Sequence, residues 1–162
     1  ITDYDVHPFG EKTIGEKGFM KATFESENGL FEVVNLHLDF RSRKTRIQQV
    51  ERILEKIDRR SHRHPEWLPP IICGDFNTGS RASSDALQQF VAKAAAHTHY
   101  HIHPARQRTF PAHFPSRGLD FILLADPFNS QEVRVIKSYA SDHLPVLLKF
   151  STFASLAAET VA

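Results

Sequence analysis

The chain has 162 residues, a formal net charge of +1, 41% hydrophobic and 24% charged residues, and a pI near 8.1. That length suits one domain able to bury about two thirds of its unfolded surface, and the composition favours neither a disordered nor a membrane chain. The charge is short of the strongly basic balance of a dedicated nucleic-acid binder, no apolar run approaches the roughly 20 residues of a membrane span, and Cys73, the only cysteine, rules out a disulfide framework or a Cys-based metal site.

The opening ITDYDVHPFGEK is polar and has no apolar stretch of the kind a secretory signal needs. A soluble, cytoplasmic protein is the expectation. Because the first residue is isoleucine, so is a processed chain or a piece of a longer one. Gly18–Glu25 (GFMKATFE) and Leu30–Leu38 (LFEVVNLHL) read as two strands joined at Asn28-Gly29, a strong hairpin signal. Period two puts Phe31, Val33, Asn35 and His37 on one face of the second strand and Leu30, Val34, Leu36 and Leu38 on or beside the other, as in a strand covered on both sides.

A helix is predicted from about Ser42 to Arg60, with Ile47, Val50, Ile53, Leu54 and Ile57 as its apolar stripe. The Pro-stopped connection RRSHRHPEWLPP follows, with Trp67 as its packing anchor, and then a strand over Pro70–Phe76. Its thiol, Cys73, lies in an apolar run with no basic neighbour and reads as buried and inert. A second helix is predicted from about Ser83 to Ala96, with Leu87, Phe90, Val91 and Ala94 inside. His97–Gly118 reads as a long loop with one short strand, and Leu119–Ala125, Glu132–Ser138 and Leu144–Phe150 as three further strands. Residues 151–162 form a tail. Strands punctuated by helices after a leading hairpin indicate an α/β fold with a mixed sheet.

Each buried-looking strand delivers an acid, amide or imidazole at or near an end. His37 and Asp39 close NLHLDF, Asp75 and Asn77 close IICGDFN, Asp120 opens LDFILL, and Asp142-His143 stand just before LPVLLKF. Taken singly, each has a plain structural reading. Asp75 and Asn77 are turn formers, Asp142 is a strand cap, and His37 is a satisfied core histidine. Asp120 is harder to dismiss, because a carboxylate beside apolar residues needs a partner, and a histidine is the simplest one. Together, the carboxylates, amide and imidazoles suit a hard cation and a phosphate.

GDFN (Gly74–Asn77), LDFIL (Leu119–Leu123), SDHLPV (Ser141–Val146), NLHL (Asn35–Leu38) and TFP (Thr109–Pro111) occur in the order and at the spacing of a known pattern. They resemble the endonuclease/exonuclease/phosphatase superfamily over most of residues 18–150. The resemblance implies a four-layer α/β sandwich, with helices outside two packed, mixed and mostly antiparallel sheets. It also implies Mg²⁺-dependent (or Mn²⁺-dependent) hydrolysis of a phosphoester. By position, Asp75 would orient or deprotonate the attacking water and lie at the metal with Asp142. Asn77 would stabilise the phosphorane oxygens, and His143, held by Asp120, would contact the scissile phosphate. A histidine at position 37 is similar to the deoxyribonuclease, deadenylase, inositol-phosphatase and phospholipid-phosphodiesterase branches. The implied substrate is a phosphodiester of nucleic acid or a phospholipid head group, with a phosphomonoester as the alternative.

The family's pattern also has an upstream strand ending in asparagine and a glutamate that is the main Mg²⁺ ligand. About 17 residues precede Gly18, and Glu11, Glu16, Glu25 and Glu32 stand in other contexts. The expectation is therefore one domain over 1–150 lacking its N-terminal part, with weak metal binding, little activity by itself, and an exposed sheet edge open to self-association. A rival expectation is a catalytically inactive binding or scaffold module of the same fold. Arg41, Arg43, Lys44 and Arg46 are placed to steer an anionic substrate, Arg41 foremost, or else form a solvated first helical turn. His97, His99, His101 and His103 alternate and would line one face of an extended segment. They read as a solvated surface or as a transition-metal trap.

Overall fold

A computed structural model describes residues 1–10, 17–78 and 85–152. Glu11, Glu16, Gly79, Ser80, the first residues of the expected second helix and the tail from 153 onward lie outside the described residues. Ten elements follow in order: β1 (Asp3–Pro8), β2 (Gly18–Ser26), β3 (Gly29–His37), α1 (Arg43–Arg63), β4 (Ile71–Asp75), α2 (Ala86–Ala94), β5 (Tyr100–His103), β6 (Asp120–Ala125), β7 (Phe128–Val135) and β8 (Val146–Thr152).

Six strands form one sheet in the order β1-β2-β3-β4-β6-β5, and β7 and β8 pair as a second. Only β3 and β4 run parallel, with α1 as their crossover; the other pairs are antiparallel. The two faces of the large sheet bury different residues of the same strands. Val34, Leu36, Ile72 and Leu123 join Val50 and Ile53 of α1 and Leu87 and Phe90 of α2. Phe31, Ile71 and Leu124 instead meet Phe128 of β7, with Leu148 of β8 against them. Each such side chain removed from water contributes about 1.5–3 kcal/mol. Among the described residues this makes three layers, helices, large sheet and small sheet, of the expected four-layer sandwich.

The helices begin where the sequence provides caps. Ser42 Oγ accepts from Thr45 N at 3.2 Å, and Asp85 caps α2 by accepting from Ala86 N at 2.7 Å. Basic residues end α1, where they face the negative end of the helix dipole. Glu32, buried on the helix side, is neutralised by Lys21 at 3.0 Å and Arg60 at 3.5 Å. Arg60 also lies over the Trp67 ring, which stacks on His64 and anchors the Pro-rich connection.

Several boundaries differ from the sequence expectation. β1 was not expected; it pairs with β2 as an edge strand, and five of its six residues are exposed, so no apolar period marks it. β7 begins at Phe128 and stops at Val135 instead of running over 132–138, because its polar first half is recruited by pairing with β8. No described helix is long and apolar enough to cross a membrane.

Candidate active site

The strand register assembles the site. In the parallel β3–β4 pair His37 is opposite Asp75, and in the antiparallel β4–β6 pair Asp75 is opposite Asp120. Three neighbouring strands therefore carry one polar row. It lies on the face that buries Phe31, Ile71 and Leu124 further along, since directly paired residues share a face. The strands supply apolar residues to the core and chemistry at its rim.

GDFN is shaped by its backbone. Gly74 has φ of 130°, and a Cβ there would lie 2.0 Å from the Leu36 carbonyl oxygen, so β3 and β4 approach this closely only with glycine. Asn77 has φ of 49°, a left-handed conformation that asparagine tolerates. Its backbone N–H donates to Asp75 Oδ1 at 2.7 Å, and its Nδ2 donates to the Leu38 carbonyl at 2.9 Å. Asp75 and Asn77 are thus both a turn and part of the polar rim. Phe76 between them is fully buried.

His143 arrives from the loop before β8. Its Nδ1 lies 2.8 Å from Asp120 Oδ2, and its ring packs on Phe110. Donation to Asp120 through Nδ1 leaves Nε2 as the free ring nitrogen. The buried Thr109 fastens this loop. Its Oγ1 accepts from Leu119 N at 3.1 Å and Asp120 N at 3.3 Å, and its carbonyl accepts from Leu144 N at 2.8 Å. Carboxylate and imidazole atoms of Asp75, Asp120 and His143 lie within 4.8 Å of one another.

Electrostatics sharpen the trio. Burial, and then the like charge of Asp120, push the Asp75 carboxyl above its ordinary value, while the Asn77 N–H, His143 and Lys17 oppose the shift. Burial, followed by Lys17 and His143, holds the His37 imidazole below its ordinary value and so favours its neutral form. Lys17, itself buried, lies against His37 Nε2, and His37 Nε2 is 3.6 Å from Asp75 Oδ2. Lys17 was missed in the sequence: it is a lone lysine before a strand, and only the β2–β3 pairing carries it to His37.

Other expected residues have different surroundings. Asp142 is exposed and stands outside the converging trio; its Oδ1 accepts from Ser141 Oγ at 3.3 Å and its carbonyl from Ala112 N at 2.7 Å. Arg41 is exposed with its guanidinium over Phe40. Arg46 is not available to steer substrate. It is buried, donating to the Asp39 carbonyl at 3.2 Å and facing Asp85 at 3.5 Å. Asp39 is taken up structurally too, its Oδ1 accepting from Arg41 N and Ser42 N. Burial raises the Cys73 thiol to about 11, so it stays protonated.

Size does not mark this site. A cleft of about 600 Å³ lies away from it, between α1, the Pro-rich connection and α2, lined by Arg60, Trp67, Phe90 and Tyr100 among others. A smaller one of about 250 Å³ opens beside His37 and Lys17.

No protein-family model matches the chain. Solved structures do resemble it. A mannosyl-6-phosphatase from Bacteroides thetaiotaomicron superposes with a TM-score of 0.74 at 19% identity, over 93% of this chain and 66% of that one. An endonuclease/exonuclease/phosphatase family protein from the same organism gives 0.71 at 20% identity, over 93% and 64%. D. rerio TDP2 complexed with a single-strand DNA product gives 0.63 at 17% identity, over 93% and 67%. The chain has the endonuclease/exonuclease/phosphatase fold, and it spans about two thirds of the length of these structures.

Proposed function

We propose that this chain carries the catalytic side chains of a divalent-metal-dependent phosphoester hydrolase, with phosphodiesters of nucleic acid or phospholipid head groups as its lead substrates. The observation that supports this most is the meeting of the register-paired Asp75 and Asp120 with the loop residue His143 within 4.8 Å. The fold it shares with a phosphatase and with a DNA-bound protein supports the same chemistry.

In-line displacement at phosphorus needs an aligned water, neutralised charge and help for the leaving group. Asp75, whose carboxyl is raised by burial, is suited to orient the water and accept its proton. Asp120 holds His143 in the tautomer that presents Nε2 to the phosphate. Neutral His37 and the second Nδ2 hydrogen of Asn77 donate to phosphoryl oxygens, and Arg41 meets the rest of the anion at the rim. The donor set fits a hard cation, because clustered carboxylate oxygens, with Asp75 raised partly by its acidic neighbour, lack full counter-charge. Asp75 of this cluster would hold Mg²⁺ or Mn²⁺, joined by Asp142 once its exposed side chain turns in from the neighbouring loop, and the cation would supply positive charge against the phosphoryl oxygens.

Likeness to a mannosyl-6-phosphatase favours a second reading, a phosphomonoesterase. Turnover of bis-p-nitrophenyl phosphate, DNA, RNA, phospholipids and sugar phosphates with Mg²⁺ and Mn²⁺ separates the two. On the preferred substrate Asp75→Asn and His143→Ala each lower kcat by about 10³-fold, with the unfolding midpoint unchanged or raised. Full activity in both variants overturns the assignment, and no turnover of any substrate by the full-length protein favours an inactive binding module.

A further inference from the structure

The alternating histidines of AHTHYHIHP are not part of that chemistry, and the structure divides them. His97 turns toward α1, with Nε2 3.7 Å from Asp58. His103 packs with a buried ring nitrogen at the far end of β5. His99 and His101 are exposed and adjacent on one face, with ring centroids 4.7 Å apart. Asp126 joins them from the end of β6. The β5–β6 register pairs Tyr100 with Ala125 and His101 with Leu124, and Asp126 N donates to the His99 carbonyl at 3.4 Å, so the aspartate is opposite His99.

We propose that His99, His101 and Asp126 form a second cation site, separate from the phosphoester site, that takes zinc. One donor atom from each residue lies within 4.8 Å of the others. His101 Nε2 and Asp126 Oδ1 are 3.4 Å apart. Zinc–ligand bonds of about 2.0–2.1 Å in a tetrahedron place neighbouring donors about 3.3 Å apart, so this edge already has the spacing and a side-chain rotation of His99 brings in the third. Two imidazoles and one carboxylate select zinc and its transition-metal neighbours over Mg²⁺ and Ca²⁺, which prefer all-oxygen shells. Exposure leaves the fourth corner to water. Because the three donors lie on both sides of a strand ladder, zinc ties edge strand β5 to the β6–β7 turn.

The site stands independently of the hydrolase reading, and its test does not use activity. The metal-stripped full chain is titrated with zinc alone by calorimetry in millimolar Mg²⁺, while imidazole nitrogen NMR follows each histidine. The expected result is one zinc per chain at this site, shifting His99 and His101. Paired His99→Asn and His101→Asn substitutions should weaken binding by more than the roughly 100-fold that loss of an outer-shell partner brings. Asp126→Asn weakens it less, and Asp75→Asn with His143→Ala leaves the His99 and His101 shifts in place. Equal zinc binding after the paired substitution, shifts confined to His143, or no zinc uptake by the native chain overturns the proposal. Circular dichroism shows whether each variant is folded, and the single His101→Asn variant on an exposed position serves if the pair is not.

Discussion

Among the described residues the molecule has two clusters of nearly the same donors, and their positions make them different objects. Asp75 and Asp120 meet across interior strands and are joined by His143 from a loop, all partly buried, with a glycine, a left-handed asparagine and a buried threonine holding them. His99, His101 and Asp126 meet at the edge strand and are exposed. Burial raises the Asp75 carboxyl in the first cluster and favours the neutral imidazole of His37 beside it. Exposure leaves the second free to reorient and suited to capturing an ion from solution. The same residue types thus differ in chemistry according to whether their strands are covered on both faces.

The comparison breaks most severely at Gly74. Gly74→Ala forces a Cβ onto the Leu36 carbonyl at a φ that side chains rarely adopt, and it should cost about 4 kcal/mol or more in urea unfolding, at the upper end for single substitutions. The edge cluster gives the contrast, with His101→Asn changing stability by no more than about 0.5 kcal/mol. Equal losses in the two would erase the distinction.

Thr109→Val is next. It removes the acceptor of one buried and one part-buried backbone N–H group, with an expected loss of about 1–3 kcal/mol. His143 loosens against Asp120, so kcat on the preferred substrate should fall by about 10-fold or more with KM nearly constant. A purely structural threonine would lower stability and leave kcat alone.

The smallest effect is electrostatic. Asp75 has a folded-state pKa above its unfolded value, so its contribution to stability is fully present below the unfolded value and is lost as pH rises through the folded one. Lys17 opposes that shift. Lys17→Met should move the acid limb of the pH–rate profile to higher pH and extend that stability window upward. An unmoved limb would remove Lys17 from the site.

Much of this was readable in the chain because local chemistry and fold agree. Asn28-Gly29 marked the β2–β3 hairpin, the stripe of Val50, Ile53 and Leu54 marked α1, and GDFN, LDFIL and SDHLPV marked the polar rim. β1 left no signal, because an edge strand open to water needs no apolar alternation. Arg46 resembled its basic neighbours, and only the α1–α2 contact shows that it is buried against Asp85. The contacts of Lys17 with His37 and of His99 and His101 with Asp126 join residues 20 or more positions apart, and only strand pairing brings them together.

The row His37–Asp75–Asp120 has one more consequence. Its alignment is set by hydrogen-bond register, which changes only in whole residues of about 3.3 Å, each step turning a side chain to the opposite face. One residue added to or removed from β4 cannot detune the site gradually; it deletes it. His143 is on a loop and can be adjusted continuously. Variation in chain length is therefore tolerated at one wall of the site and forbidden at the other, so a change of substrate among proteins built this way is expected to enter through the loops around His143.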